Sequence, residues 1–480
     1  MATSTMPPPP AAPIPDSYST PNNTDSVTDH HGGSRTSSST SWQNSNSKTW
    51  TPTILEEVEA AQQHLRSRLA GALTRPPAGV PESSLPSVPL IDIGPSFDGT
   101  LASRQRVAQQ IREACLSTGF FQISNHGVTA TAMAGVLKQA ERFFHDMPEP
   151  KRQALHIKHS RLFRGYEPHD FTYVNPDDQT GATGAAALET QQDPQHETKQ
   201  GFNWGYEESL DPTGGDGKYV ELDGTKPDSE TKSGNVWPDE ADLPGFRDAI
   251  AEYYGQVLQL ARHLFRLFAL SLGLEETYFD ELMTHPGGIA RLLYYKGLPG
   301  ASEASETSGT SESGSGSTNT VPNSSSNNDD NNNSKLGLGA HTDYECFTLL
   351  LSSTNPGLEI LFPPSSLTQN KPIWRPCPVR PGTLTVNVAD FLMRWTNGLY
   401  KSTVHRVVSR PGAGERYSVP FFFSINYDAD VLPLPESAVG PSNFVPLRAG
   451  EYVLERLRAT QILADADADA DGKEKEKDKK

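Results

Sequence analysis

The chain has 480 residues, 35% of them hydrophobic, with 39 Gly, 39 Pro and a formal net charge of −18. No run of about 18 apolar residues occurs, which argues against a membrane-spanning helix, and the acidic balance disfavours nucleic acid, which is gripped through basic faces. Neither an apolar signal core nor an Arg-rich transit pattern opens the chain, and Cys115, Cys346 and Cys377 form neither a disulfide framework nor a CxxC knuckle. The expectation is a cytoplasmic protein with three free, buried thiols.

Residues 1–84 are rich in Pro, Ser, Thr and Asn and read as a largely disordered tail, although ILEEVEAAQQHLRSRLAGAL from Ile54 carries a helical pattern that ends before Pro76. VPLIDIG reads as a short buried strand stopped by Gly94 and Pro95. SRQRVAQQIREACLSTG repeats apolar residues at helical spacing, with Gly119 placed as a C-terminal cap. FFQISNHGV then reads as strand and turn, with His126 a structural polar group, and a second helix is predicted over 129–145. The polar stretches 174–198 and 207–235 are expected to be looped or partly disordered, and 243–272 is the strongest helix, a scaffold with Ile250, Tyr254, Val257, Ala261, Leu264, Phe265 and Phe268 on one stripe. Beyond it, IARLLYYKG, FTLLLSS, LEILFPP, TLTVNVA, TVHRVVS and YSVPFFFSIN are short β-type runs punctuated by Gly, Pro and Asn. The fold class is therefore mainly β with a helical shell (α+β) around a double-stranded β-helix, or jelly-roll, core. A polar insertion at 301–335 and a charged tail at 464–480 lie outside that core.

The chemistry concentrates in HTD at 341–343 and HRV at 405–407. Alternate residues of an extended segment face one side, so His341 and Asp343 can aim an imidazole and a carboxylate at one point, and a rolled sheet can return His405 to the same mouth. Two histidines and one carboxylate on one face of a metal are the facial triad of non-haem Fe(II) oxygenases. An isolated HxD in a chain with 13 His is a weak signal. Arg416 and Ser418, again two apart, strengthen it, because a guanidinium buried in a sheet calls for an anion and is shaped to fork a carboxylate. Tyr295, Phe347, Trp395, Phe421 and Phe423 either wall this site or are ordinary core, and Phe163 and Tyr166 of FRGYEP lie towards a substrate mouth.

HTDYECFTLLL, GTLTVNVADFLMRWTNGLYKSTVHRVV and RYSVPFFF together resemble the iron(II)/2-oxoglutarate-dependent dioxygenases of the isopenicillin N synthase-like family. VPLIDIG, GFFQISNHGV and FRGYEP are similar to that family's N-terminal region, and FALSLGLEETYFD to fungal members. The resemblance implies that His341, Asp343 and His405 are the catalytic iron ligands, that Arg416 and Ser418 bind the distal carboxylate of 2-oxoglutarate, and that Tyr295 also touches it. Where the family often has Asn two residues before that tyrosine, this chain has Leu293, and the family's NIGD turn is NVAD here. It further implies an N-terminal dioxygenase region at 85–205, a connecting segment at 206–285, a jelly-roll core at 286–447 and a C-terminal helix at 448–463.

The function expected is an Fe(II)-, 2-oxoglutarate- and O2-dependent oxidoreductase that hydroxylates, desaturates or cyclises a small organic metabolite and releases succinate and CO2. Two alternatives stay open at this point: a same-fold iron oxidase that does not use 2-oxoglutarate, and a catalytically inactive binding or regulatory protein recruited through the polar tails.

Overall fold

The structure is a computed structural model that describes residues 54–169, 197–227, 234–298 and 334–458, all within the unit Trp50–Lys480. The insertion apart from residues 334 and 335, the 174–198 loop apart from residues 197 and 198, and the C-terminal tail lie outside the described residues. The first half contains α1 (Ile54–Leu69), β1 (Leu90–Asp92), α2 (Leu101–Ser117), β2 (Phe120–Ser124), α3 (Ala130–His145), α4 (Glu149–Ala154), β3 (Gly165–Glu167), β4 (Lys199–Trp204) and α5 (Phe246–Ser271). The second half contains β5 (Pro286–Tyr295), β6 (Lys335–His341), β7 (Phe347–Ser352), β8 (Leu358–Phe362), β9 (Ile373–Pro376), β10 (Leu384–Val388) and α6 (Asp390–Trp395). It closes with β11 (His405–Ser409), β12 (Arg416–Asn426), β13 (Asp430–Val431), α7 (Glu436–Val439), β14 (Leu447–Arg448) and α8 (Ala449–Arg458).

Two sheets make the jelly roll. The larger has eight strands in the order β1-β2-β10-β7-β12-β5-β4-β3, and the smaller has four, β6-β11-β8-β9. Strands β1 to β4, from the first half of the chain, are thus woven into the same sheet as β5, β7, β10 and β12.

The pleat sorts side chains by parity. On β12, Val419, Phe421, Phe423 and Ile425 pack into the main apolar core, while Arg416, Ser418, Pro420 and Phe422 face a cavity between the sheets. On β5, Ala290, Leu292 and Tyr294 join the core, and Arg291, Leu293 and Tyr295 face the cavity. Helix α5 supplies the far side of that core. Its predicted stripe from Ile250 to Phe268 is buried throughout, and Gly273, at φ +73°, ends it. Helices α2 and α3 start at Thr100 and Thr129, whose hydroxyls accept from the backbone N–H of Ser103 and Ala132.

The helix read from Ile54 forms and the described part of the polar stretch 207–235 is looped as expected, but both are packed more firmly than their composition suggests. Part of the stretch read as a tail is structured: Leu65 and Leu69 of α1, with Ala72, pack against Ala340, Leu361, Trp374 and Val404, behind the strands that carry His341 and His405. The described part of the polar stretch 207–235 is also packed, and composition missed it because its fixed points are ion pairs. Arg262 forks both oxygens of Asp211 at 2.9 and 2.7 Å, Tyr206 donates to Asp211 at 2.9 Å, and Arg164 donates to Glu221 at 3.0 Å. Cys115, Cys346 and Cys377 are free and buried, and no helix among the described residues is long and apolar enough to cross a membrane.

Gly119 links this scaffold to the site. It closes α2 at φ +68°, its N–H donates to Ala114, and its carbonyl accepts from Val388 of β10. A Cβ there would lie 1.7 Å from the Lys401 carbonyl oxygen. Gly119→Ala should therefore cost at least ~2 kcal/mol, combining left-handed strain with a backbone clash, and a lowered urea midpoint with an unchanged slope is the measurement that checks it.

Candidate active site

Antiparallel pairing of β6 and β11 sets His405 directly opposite His341. Their rings lie 4.3 Å apart between centroids. The chain leaves β6 at His341 and turns, bringing Asp343 back so that its Oδ1 is 3.6 Å from Nε2 of each histidine. One ligand atom from each residue lies within 4.8 Å of the other two, a group that could hold a metal ion.

The donor chemistry fits a divalent ion. His341 Nδ1 is 2.7 Å from the Gly339 carbonyl, and His405 Nδ1 is 3.1 Å from that of Thr403. A proton on Nδ1 satisfies each carbonyl and leaves the Nε2 lone pair facing inward. Burial, reinforced by the neighbouring His405, pushes the His341 imidazole down to about 4, so it is neutral at neutral pH. Burial alone would raise the Asp343 carboxyl, but His405, His341 and two hydrogen bonds outweigh it and hold the group below its ordinary value. Those bonds both go to Oδ2, from Thr348 Oγ1 at 2.5 Å and Asn387 Nδ2 at 2.7 Å. Oδ1 is thereby left towards the histidines. Phe120 of β2 backs His405 edge-on at 5.4 Å.

Asp390 locks the surroundings. It accepts from Thr342 Oγ1 at 2.9 Å and Ser402 Oγ at 2.5 Å, and pairs with Arg456 of α8 at 2.7 Å. One carboxylate so joins the turn between the ligands, the approach to His405, and the helix whose Val453 lines the cavity. The NVAD turn thus carries two roles that motif reading left unassigned. Asn387 orients Asp343, and Asp390 fixes the turn.

His341, Asp343, His405, Arg416, Ser418 and Tyr295 all line one cavity of about 150 Å³. Arg416 is buried in it, donating to Ser418 Oγ and Ser352 Oγ, each at 3.1 Å, with its guanidinium 5.0 Å from the centre of the Tyr295 ring. No carboxylate among the described residues pairs with it, and burial pulls the guanidinium below its ordinary value. Burial also pushes the Tyr295 phenol up, keeping it protonated and able to donate. The register explains the grouping, since Arg416 pairs with Tyr295 and Ser418 with Leu293 across β12 and β5. Phe163 lines the cavity, whereas Tyr166 packs on Phe143 at 5.9 Å. Phe347, Phe421 and Phe423 belong to the helical-side core because strand parity turns them away from the cavity, and Trp395, at the end of α6, packs in the same core. His126 is structural, its Nδ1 accepting from the Val128 N–H.

Residues 319–425 match the 2OG-Fe(II) oxygenase superfamily, and residues 88–240 match the family described as non-haem dioxygenase in morphine synthesis N-terminal. The 2-oxoglutarate-Fe(II) type oxidoreductase hxnY of Emericella nidulans is 32% identical over 353 residues, covering 72% of this chain and 82% of that protein. The oxidoreductase ppzC of Metarhizium majus is 31% identical over 415 residues, covering 83% of this chain and 96% of its own length. The full-length Neurospora crassa protein solved in complex with alpha-KG and thymine shares the fold, with a TM-score of 0.59 at 24% identity over 78% of this chain and 97% of that one. With its jelly roll, its His-Asp-His group and these relatives, the chain belongs to the 2OG-Fe(II) oxygenase superfamily. It is an iron(II)- and 2-oxoglutarate-dependent dioxygenase that takes O2 as co-substrate.

Removing the amide that orients Asp343 tests the ligand geometry. Asn387→Ala should weaken Fe(II) binding ~10- to 100-fold, measured by metal titration of the chelator-stripped protein, with secondary structure by circular dichroism as the folding control.

Proposed function

We propose that His341, Asp343 and His405 hold the Fe(II), that Arg416 and Ser418 hold the distal carboxylate of 2-oxoglutarate, with Tyr295 beside them, and that the enzyme oxidises a C–H bond of a small organic molecule. The observation that carries this reading is the buried Arg416 guanidinium, without a carboxylate partner among the described residues, in the same cavity as the His-Asp-His group. An isolated cation in that setting is costly, and a dicarboxylate that also reaches the metal relieves it. Bound iron supplies the centre at which 2-oxoglutarate and O2 give succinate and CO2 and the substrate is oxidised.

The chain's own residues do the positioning. Arg416 fixes the cosubstrate's far end through charge-assisted hydrogen bonds, Ser418 adds a hydroxyl to the same cradle, and Tyr295 walls it. Leu293 and Leu338 keep the surroundings apolar, which strengthens each polar contact by excluding water. The relatives' substrates support a small molecule, since one neighbour was solved with thymine bound. Enclosure between two sheets argues the same way.

His341→Ala should abolish succinate release above background in the presence of Fe(II) and 2-oxoglutarate, and release equal to the wild type would refute the assignment. Arg416→Met should raise the KM for 2-oxoglutarate by ~30- to 100-fold, the loss expected when one member of a buried charge pair is removed. Ser418→Ala should raise it ~5-fold. Steady-state succinate formation at varied 2-oxoglutarate separates the two effects.

A further inference from the structure

Much of the cavity wall is not accounted for by iron or cosubstrate. Ile157, Phe163, Ile289, Phe422 and Val453 make that part mainly apolar. Its cationic members are ion-paired: Arg164 donates to Glu221, although its Nε is left without a partner among the described residues, Arg291 donates to Glu167, and Lys199 to Glu167. Glu345 differs. It follows Asp343 by two residues, is 3% exposed, and lines the same cavity. Its Oε1 accepts from the Tyr427 hydroxyl at 3.3 Å, whereas its Oε2 is buried with no hydrogen-bond partner among the described residues. A buried carboxyl oxygen without a donor burdens the fold, and a ligand that brings a donor lifts that burden.

We propose that Glu345 is a specificity-determining residue whose Oε2 accepts a hydrogen bond from an N–H or O–H group of the substrate. The substrate class is then a small, mainly apolar, neutral molecule that carries such a donor close to the carbon being oxidised. The proposal rests on the site reading given above. Glu345 and Asp343 are two residues apart and line the same small cavity, so one small molecule can reach both. Neutrality follows from the neighbours. Ile157, Phe163, Ile289, Phe422 and Val453 around it give a charged group nothing to replace its water, which favours a hydroxyl, an amide or a ring N–H.

The test compares donor-bearing probes with their methylated counterparts: phenol against anisole, and benzamide against N,N-dimethylbenzamide. Each is titrated calorimetrically, without oxygen, into full-length protein loaded with Fe(II) and 2-oxoglutarate. In the wild type, phenol and benzamide should bind at least about tenfold tighter than their counterparts. Glu345→Leu should shrink that preference to within about twofold, and Glu345→Gln, which keeps a carbonyl acceptor, should retain part of it. 2-Oxoglutarate should bind all three proteins with the same affinity, which also shows that the variants are folded. If the wild type fails to bind 2-oxoglutarate with Fe(II), the site reading itself fails. The role of Glu345 is overturned separately, in a wild type that does bind 2-oxoglutarate, by equal binding of donor and methylated probes or by no donor binding up to about 10 mM. A preference that survives Glu345→Leu, or loss of 2-oxoglutarate binding in both variants, overturns it as well.

Discussion

The active site depends on one backbone fact, the pairing of β6 with β11 that sets His405 across from His341. Hydrogen bonds between strands cannot slip by one residue without reversing every side chain, so two imidazoles distant in the chain meet at a distance fixed by the sheet. Asp343 completes the group from the turn that follows, and it is held by contacts that do not compete for its inward oxygen. Thr348 and Asn387 both bind Oδ2, leaving Oδ1 between the histidines. The three side chains that could hold a metal ion are therefore organised by the protein itself, and little side-chain entropy would remain to be lost on binding.

Charge inside the barrel follows a simple division. The buried basic groups Arg164, Arg291 and Lys199 are matched by Glu221 and Glu167, and Arg456 by Asp390. Arg416 stands apart, with only hydroxyls as hydrogen-bond partners and an aromatic ring beneath it. Paired ions stiffen the walls, and the one unmatched among the described residues is where the proposed cosubstrate carboxylate would sit. Helix α1 contributes from outside by covering Ala340 and Val404, the neighbours of the two histidines in the chain. The strands that carry His341 and His405 are thus covered by α1 on the side away from the cavity.

Much of this was legible in the sequence. HTD, the later HRV and the RYS pair are short, but the alternation of extended chain already places their members on common faces, and the helical stripe from Ile250 to Phe268 could be read from spacing alone. What escaped was of two kinds. Asn387 and Asp390 sit in an apolar strand and the turn after it, where composition offers no hint that one steadies Asp343 and the other joins three segments. The aromatic residues around the motifs posed the opposite problem, since hydrophobicity cannot tell which face of a strand looks inward. Parity against Arg416 and Ser418 would have shown that Phe421 and Phe423 point away. Asp211 and Glu221 were hidden in a polar, Gly-rich stretch because long-range ion pairs leave no periodic trace.

The parity of β12 also sets the terms on which this protein can change over time. Adding or deleting one residue between Arg416 and Ile425 would exchange the two faces, driving phenylalanines into the cavity and a guanidinium into the oily layer against α5. The links between strands carry no such penalty, because lengthening a surface connection costs only slowly growing closure entropy. Natural variation among descendants of this sequence should accordingly be concentrated in the lengths of its connections, with the strand lengths held constant.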